Sequence, residues 1–176
     1  MFVGGWLVNG LRTDGYDPLQ DAISQLARVG APTRLSMSAC FVVFGVLVPL
    51  WAPTVARELA TPALRPAVTV AGLATVAVAA LPLTREPGGT QDLLHALTAG
   101  TGYVAMALTP LLAAGGLRRL GRPRAAGLSA AVGMVSAGSL VLTVGGDMSG
   151  LFQRLGLGVV DVWHVVVAGW VLGRRS

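Results

Sequence analysis

LSMSACFVVFGVLVPLWA, residues Leu35 to Ala52, runs eighteen residues without a charge. As a helix it would cover about 27 Å, close to the ~30 Å hydrocarbon core of a bilayer. Four further runs share its character: Ala67 to Leu83 (AVTVAGLATVAVAALPL), Leu93 to Gly115, Ala125 to Val144 and Leu155 to Leu172. Only 12% of the chain is charged, about half the proportion usual in soluble domains, and those charges cluster between the apolar runs. The expected fold is therefore all-α, a single polytopic transmembrane bundle of five full spans over residues 1–176.

The segment 1–11, MFVGGWLVNGL, is apolar but covers only about half a bilayer. It reads as the C-terminal end of a span whose beginning is missing, through a late start or completion by a partner. It has neither a charged n-region nor a small-x-small site, so no cleavable signal is expected.

All 13 basic residues are Arg. They gather at the ends of apolar runs, which fits the positive-inside rule better than phosphate-backbone binding, so no nucleic-acid partner is expected. Arg118, Arg119, Arg122 and Arg124, the Arg57–Arg65 loop and the Arg174–Arg175 tail fall on one side if the spans alternate. That side is expected to be cytoplasmic, with the C-terminus there, in a multi-pass protein of the cell membrane. The other connections, GYDPLQDAISQLARVG (15–30), TREPGGTQD (84–92) and GGDMSGLFQR (145–154), hold Asp17, Asp21, Glu86, Asp92 and Asp147 and should face outward. The lone Cys40 lies in an apolar run and is expected to pack. Ser129, Gly133 and Ala137 form a small-xxx-small stripe, suited to an internal helix contact or a homo-oligomer seam.

The connection after the first segment has helix signals of its own. Asp17 suits an N-cap, Pro18 the first helical position, and Gly30 with Pro32 a stop. Leu19, Ile23, Leu26 and Val29 recur at helical spacing, with Asp21, Ser24, Gln25 and Arg28 opposite. The pattern predicts an amphipathic helix over 17–29, either resting on the membrane surface or serving as a lid whose Asp21/Ser24 face closes a polar pocket.

The last span carries ionisable groups where they are costly. Arg154, Gly158, Asp161 and Ala168 share a helical face, and His164 follows Asp161 by three. Asp161 lies about 10 Å along the helix from Arg154, so it must be paired or face a polar site. The third span holds Asp92 and His95, also three apart. His95, Asp161 and His164 are thus expected to meet at outer-leaflet depth beneath the 17–29 helix as acid/base groups. Asp17, Asp21, Ser24, Asp92, Arg154 and Trp163 would bind substrate, with Ser24 a nucleophile if the lid brings it close. The alternative is that Asp161 forms a structural pair with Arg154 or His164. The His/Asp spacing matches no zinc signature, so no metal is expected; bis-His haem remains chemically open, and the cofactor is left unassigned.

GYDPLQDAISQLARVG, a span ending in Trp51, and GLFQR (150–154) followed by Trp163 and VWHVVVAGWVL resemble an uncharacterised bacterial integral membrane family, catalogued as domain of unknown function 998. The resemblance covers nearly the whole chain and is most specific at DAISQLA (21–27) and GLFQR. It implies six helices, with a complete first helix that this sequence largely lacks, and it implies no established activity. Three functions stay open. One is a membrane enzyme acting on a lipid or isoprenoid at the outer leaflet. The second is a lipid-binding or transport protein using the same pocket. The third is an accessory subunit of a membrane complex whose polar pairs are structural.

Overall fold

The computed structural model describes residues 2–144 and 146–174. Met1, Gly145, Arg175 and Ser176 lie outside it, and with them the first residue of the 1–11 segment, part of the GGD connection and half of the Arg174–Arg175 tail. The described residues form six α-helices and no strand. They are α1 (Phe2–Leu11), α2 (Arg34–Glu58), α3 (Leu64–Ala80), α4 (Thr90–Arg119), α5 (Pro123–Val144) and α6 (Ser149–Gly173), with a 3-10 helix over Ile23–Ala27.

α2, α4, α5 and α6 are long and apolar enough to cross a membrane. α3 spans 17 residues, about 25 Å, and α1 spans 10, about 15 Å. The observed helices run past most of the expected limits because charge does not stop a helix; Arg57, Glu58, Arg118 and Arg119 are all helical. The second run is the exception: it ends at Ala80, short of the expected Leu83. Pro82 lacks an N–H and disfavours helical backbone at Leu81. The carbonyls just beyond Ala80 serve other segments: Leu81 accepts from His95, Pro82 from Gln91, and Leu83 from the Val29 N–H.

The helices pack in sequence order, α2 on α3, α3 on α4, α4 on α5 and α5 on α6. Small residues allow the close approaches. A Cβ on Gly45 would stand 2.7 Å from the Gly72 carbonyl, and one on Gly72 the same distance from the Gly45 carbonyl, so α2 and α3 touch backbone to backbone. In the α5 stripe, Gly133 faces Leu111 and the Ala107 carbonyl of α4, and the Ser129 hydroxyl accepts from the Trp163 indole at 2.8 Å. These two members of the stripe thus serve contacts within the chain.

The two ends of the bundle sort as their charges suggest. At one end Arg119 donates to the Ala60 carbonyl and the Thr61 hydroxyl, joining the last turn of α4 to the 59–63 connection. At the other, the 12–33, 81–89 and 146–148 connections meet: Val29 bonds Leu83, and Met148 and Ser149 bond Gln20. The first end is rich in Arg; the second holds Asp17, Asp21, Glu86, Asp92 and Asp147.

One expected element takes a different form. Residues 17–29 do not fold as one amphipathic helix: Asp17 to Gln20 make turns, and only Ile23–Ala27 is helical, as a 3-10 turn. An α-helix there would need the carbonyls of residues 18–21 as internal acceptors. Instead Pro18 and Asp21 accept from Arg154, Leu19 from the Leu151 N–H, and Gln20 from the Gly150 N–H and Ser149 hydroxyl. Leu19 consequently lies exposed, while Ser24, placed on the polar face by the helical pattern, is buried with Ile23, Leu26 and Ala27.

Candidate functional site

The N-terminus of α6 and the 17–28 segment build one another. The first N–H groups of a helix have no internal partner, and the carbonyls of Leu19 and Gln20 supply partners for Leu151 and Gly150. Gly150 is required there, since a Cβ would stand 2.5 Å from the Asp21 carbonyl and 2.7 Å from that of Pro18. Arg154 donates at 2.7 Å to Pro18, 2.8 Å to Asp21 and 2.8 Å to Gly150, contacts the Tyr16 hydroxyl, and lies over the rings of Trp6 and Tyr16. Burial pushes the Tyr16 phenol above its ordinary pKa while the Arg154 charge pulls it down, so it remains an O–H. Gln153 accepts the Ile23 N–H at 2.6 Å and donates to the Tyr103 hydroxyl of α4.

Beneath this cover lies a small cavity of about 40 Å³. Ser24, Thr75, His95 and Tyr103 border it, with Phe2, Ile23, Phe41, Phe44 and Leu157 among its apolar walls. The His95 Nδ1 lies 2.6 Å from the Leu81 carbonyl. A carbonyl only accepts, so Nδ1 carries a proton.

A second, larger space of about 490 Å³ runs along the outside of the bundle between α1, α2 and α6. Phe2 and Phe44, ring centroids 4.9 Å apart, line both spaces and form a common wall. Leu47, Val48, Val165 and Ala168 continue the apolar lining, and the polar groups are Trp51, Asp161 and His164. The His164 Nδ1 bonds the Val160 carbonyl at 3.1 Å, which leaves Nε2 as a bare acceptor. That Nε2, both Asp161 carboxylate oxygens and the Trp51 indole nitrogen are buried without a hydrogen-bond partner among the described residues.

The expected triad is therefore divided. His95 stands five residues into α4, about 7.5 Å along its axis, whereas Asp161 stands twelve into α6, about 18 Å. Reckoning depth from Arg154 placed Asp161 too shallow, because α6 begins five residues earlier at Ser149. His95 and Ser24 share the small cavity; Asp161 and His164 share the groove. Neither structural pairing expected for Asp161 is present, since Arg154 is engaged by carbonyls and no hydrogen bond joins Asp161 to His164 among the described residues.

The other expected binding residues hold structure together. Asp17 accepts the Leu19 N–H, and Asp21 accepts the Asp17 N–H at 2.8 Å. Asp92 ties the 84–88 connection through the Thr84 N–H and hydroxyl and the Gly88 N–H. Trp163 is buried in the core toward the Arg-rich end. Among the described residues no three His, Cys, Asp or Glu side chains gather as a metal site requires. Trp51, Gln153 and Tyr103 are not among the site residues expected from the sequence. The one signal for Trp51 was an indole N–H in an apolar span, which needs a partner somewhere.

No curated protein and no solved structure matches the chain. The family described as "Protein of unknown function (DUF998)" matches residues 1–170, which take in both spaces and the Gln153–Arg154 cover. With six helices and nearly its whole length matched, the chain belongs to the DUF998 family.

Proposed function

We propose that the protein holds an amphiphilic ligand of lipid or isoprenoid type in the groove between α1, α2 and α6, with the ligand's polar group against Trp51, Asp161 and His164. The observation that carries this reading is the grouping of orphaned polar atoms from these three side chains on one groove. Each buried polar group without a partner costs about 1–3 kcal/mol, so their concentration at one place calls for a ligand. Ionisable side chains within a span are functional candidates by default. The groove volume of 490 Å³ falls within the ~300–1,000 Å³ usual for ligand sites.

The chemistry narrows the ligand. The indole N–H donates, the His164 Nε2 accepts and the Asp161 carboxyl group can do either, a set that suits a hydroxyl on an apolar chain. His164 and Asp161 are the acid/base groups of an enzymatic version of this reading. The depth is close to the middle of the bilayer, deeper than the outer leaflet. By the positive-inside rule the Arg-rich end and the C-terminus face the cytoplasm of a cell-membrane protein, and the 17–28 cover faces outward.

A second reading is supported by α1. Its residues Phe2 and Val3 line the groove beside Phe44 and Val48 of α2. A transmembrane helix of a partner laid against this apolar wall would make the chain an accessory subunit. One comparison separates the two. Lipid extracted from the purified full chain, identified by mass spectrometry, should contain one hydroxylated amphiphile enriched over the bulk and lost from Asp161→Asn/His164→Phe. An identical lipid profile from the two proteins would overturn the ligand reading.

A further inference from the structure

At the Arg-rich end, away from both spaces, Arg122 and Arg174 flank one indole. Their guanidinium carbons lie 4.8 and 4.9 Å from the Trp170 ring centroid. Among the described residues neither guanidinium is paired with a carboxylate, and Arg57 pairs with Glu58 at this end. Two like charges thus lie within 5 Å of the centre of one indole. A groove of about 220 Å³ starts between Arg122 and Trp170 and runs between α5 and α6 to Ser129 and Trp163. That is seven residues along each helix, about 10 Å. Its walls include Ala125, Leu128 and Val166, and Leu128 and Val166 are 71% and 63% exposed, so the groove opens sideways to surrounding hydrocarbon.

We propose that this groove is a binding site for an anionic phospholipid of the leaflet at the Arg-rich end, its phosphate between Arg122 and Arg174 and one acyl chain between α5 and α6. The charge is complementary, the donors sit at the end of the bundle where headgroups lie, and the apolar track leads from them into the hydrocarbon. Basic pockets between transmembrane helices select anionic headgroups in this way. Arg suits the role because its flat guanidinium stacks on the indole and still offers N–H donors to phosphate. A zwitterionic lipid would bring a cationic group toward the same two Arg side chains and should bind less well. The site shares no residue with the α1/α2/α6 groove, so the two stand or fall separately.

Native mass spectrometry tests this on the full chain released from detergent micelles containing equal phosphatidylglycerol and phosphatidylcholine. The wild-type chain should retain phosphatidylglycerol preferentially. Arg122→Gln/Arg174→Gln should weaken that retention by about thirtyfold, from roughly a kilocalorie per mole for each Arg near the headgroups. Val166→Trp fills the groove without touching either Arg, and should also abolish retention while leaving the helical circular dichroism intact. Equal retention of the two lipids, retention unchanged in both variants, or displacement by glycerol 1-phosphate alone would each overturn the proposal.

Discussion

Gln153 accepts the backbone N–H of Ile23 at 2.6 Å across 130 residues of sequence. The bond does for the 3-10 helix what a neighbouring carbonyl would otherwise do, and its other end reaches the Tyr103 hydroxyl of α4. One side chain therefore fixes the 17–28 cover to two helices. Because Ile23 is 2% exposed, losing the acceptor strands an N–H away from water. Gln153→Leu, nearly equal in volume, should cost about 1–3 kcal/mol. Thermal unfolding in detergent would register the loss, and the Ile23 amide should exchange with deuterium faster. An unchanged transition with unchanged exchange would show that Gln153 does not hold the segment.

Arg154 performs a task that lysine cannot. It meets three carbonyls and the Tyr16 hydroxyl while lying over two rings, a combination that depends on a planar fork of donors. An ammonium keeps the charge but reaches fewer of these acceptors and does not stack. Arg154→Lys should therefore loosen the cover, with Arg154→Met doing so further. Limited trypsin digestion reads this directly, because Arg28 is half-buried within the folded segment. Cleavage after Arg28 should accelerate about tenfold in the Lys variant, equivalent to ~1.4 kcal/mol of lost closure. Equal digestion rates for Lys and wild type would mean that charge alone closes the cover.

The helices were legible because a bilayer requires long uncharged runs, and Leu35 to Ala52 announces one without further context. The two ends were legible for the same reason, since the charges have nowhere else to go. Residues 17–29 misled because their apolar spacing is helical, while their carbonyl partners are on α6, more than 120 residues away. No local pattern records that the Leu19 and Gln20 carbonyls cap another helix. The candidate site was half legible. Asp161 and His164 stood out as ionisable groups within a span, but His95 was joined to them by a depth measured from the wrong origin. Trp51 did not stand out as a candidate because an indole in an apolar run reads as packing.

The orphaned groups of the groove make a prediction that separates function from architecture. If Asp161 and His164 were there to hold α6 in place, removing them would unfold the bundle. The structure shows the reverse arrangement: their free atoms find no partner among the described residues, and each such atom is a cost carried by the folded state. Asp161→Leu/His164→Leu replaces both with apolar groups facing an apolar groove, so stability should hold within about 1 kcal/mol of wild type or rise. The variant forfeits the His164 bond to the Val160 carbonyl, which lies inside a continuous helix, and the edge-on contact of the His164 ring with Trp163, which a leucine side chain partly replaces. Thermal unfolding in detergent, with no ligand added, measures the change, and the same double variant should lose its enriched lipid. A fall of more than ~2 kcal/mol would mean that the pair braces the bundle through contacts formed outside the described chain. Unaltered or raised stability combined with lost lipid would assign Asp161 and His164 to binding, since only a group retained for its ligand is removed at no structural loss.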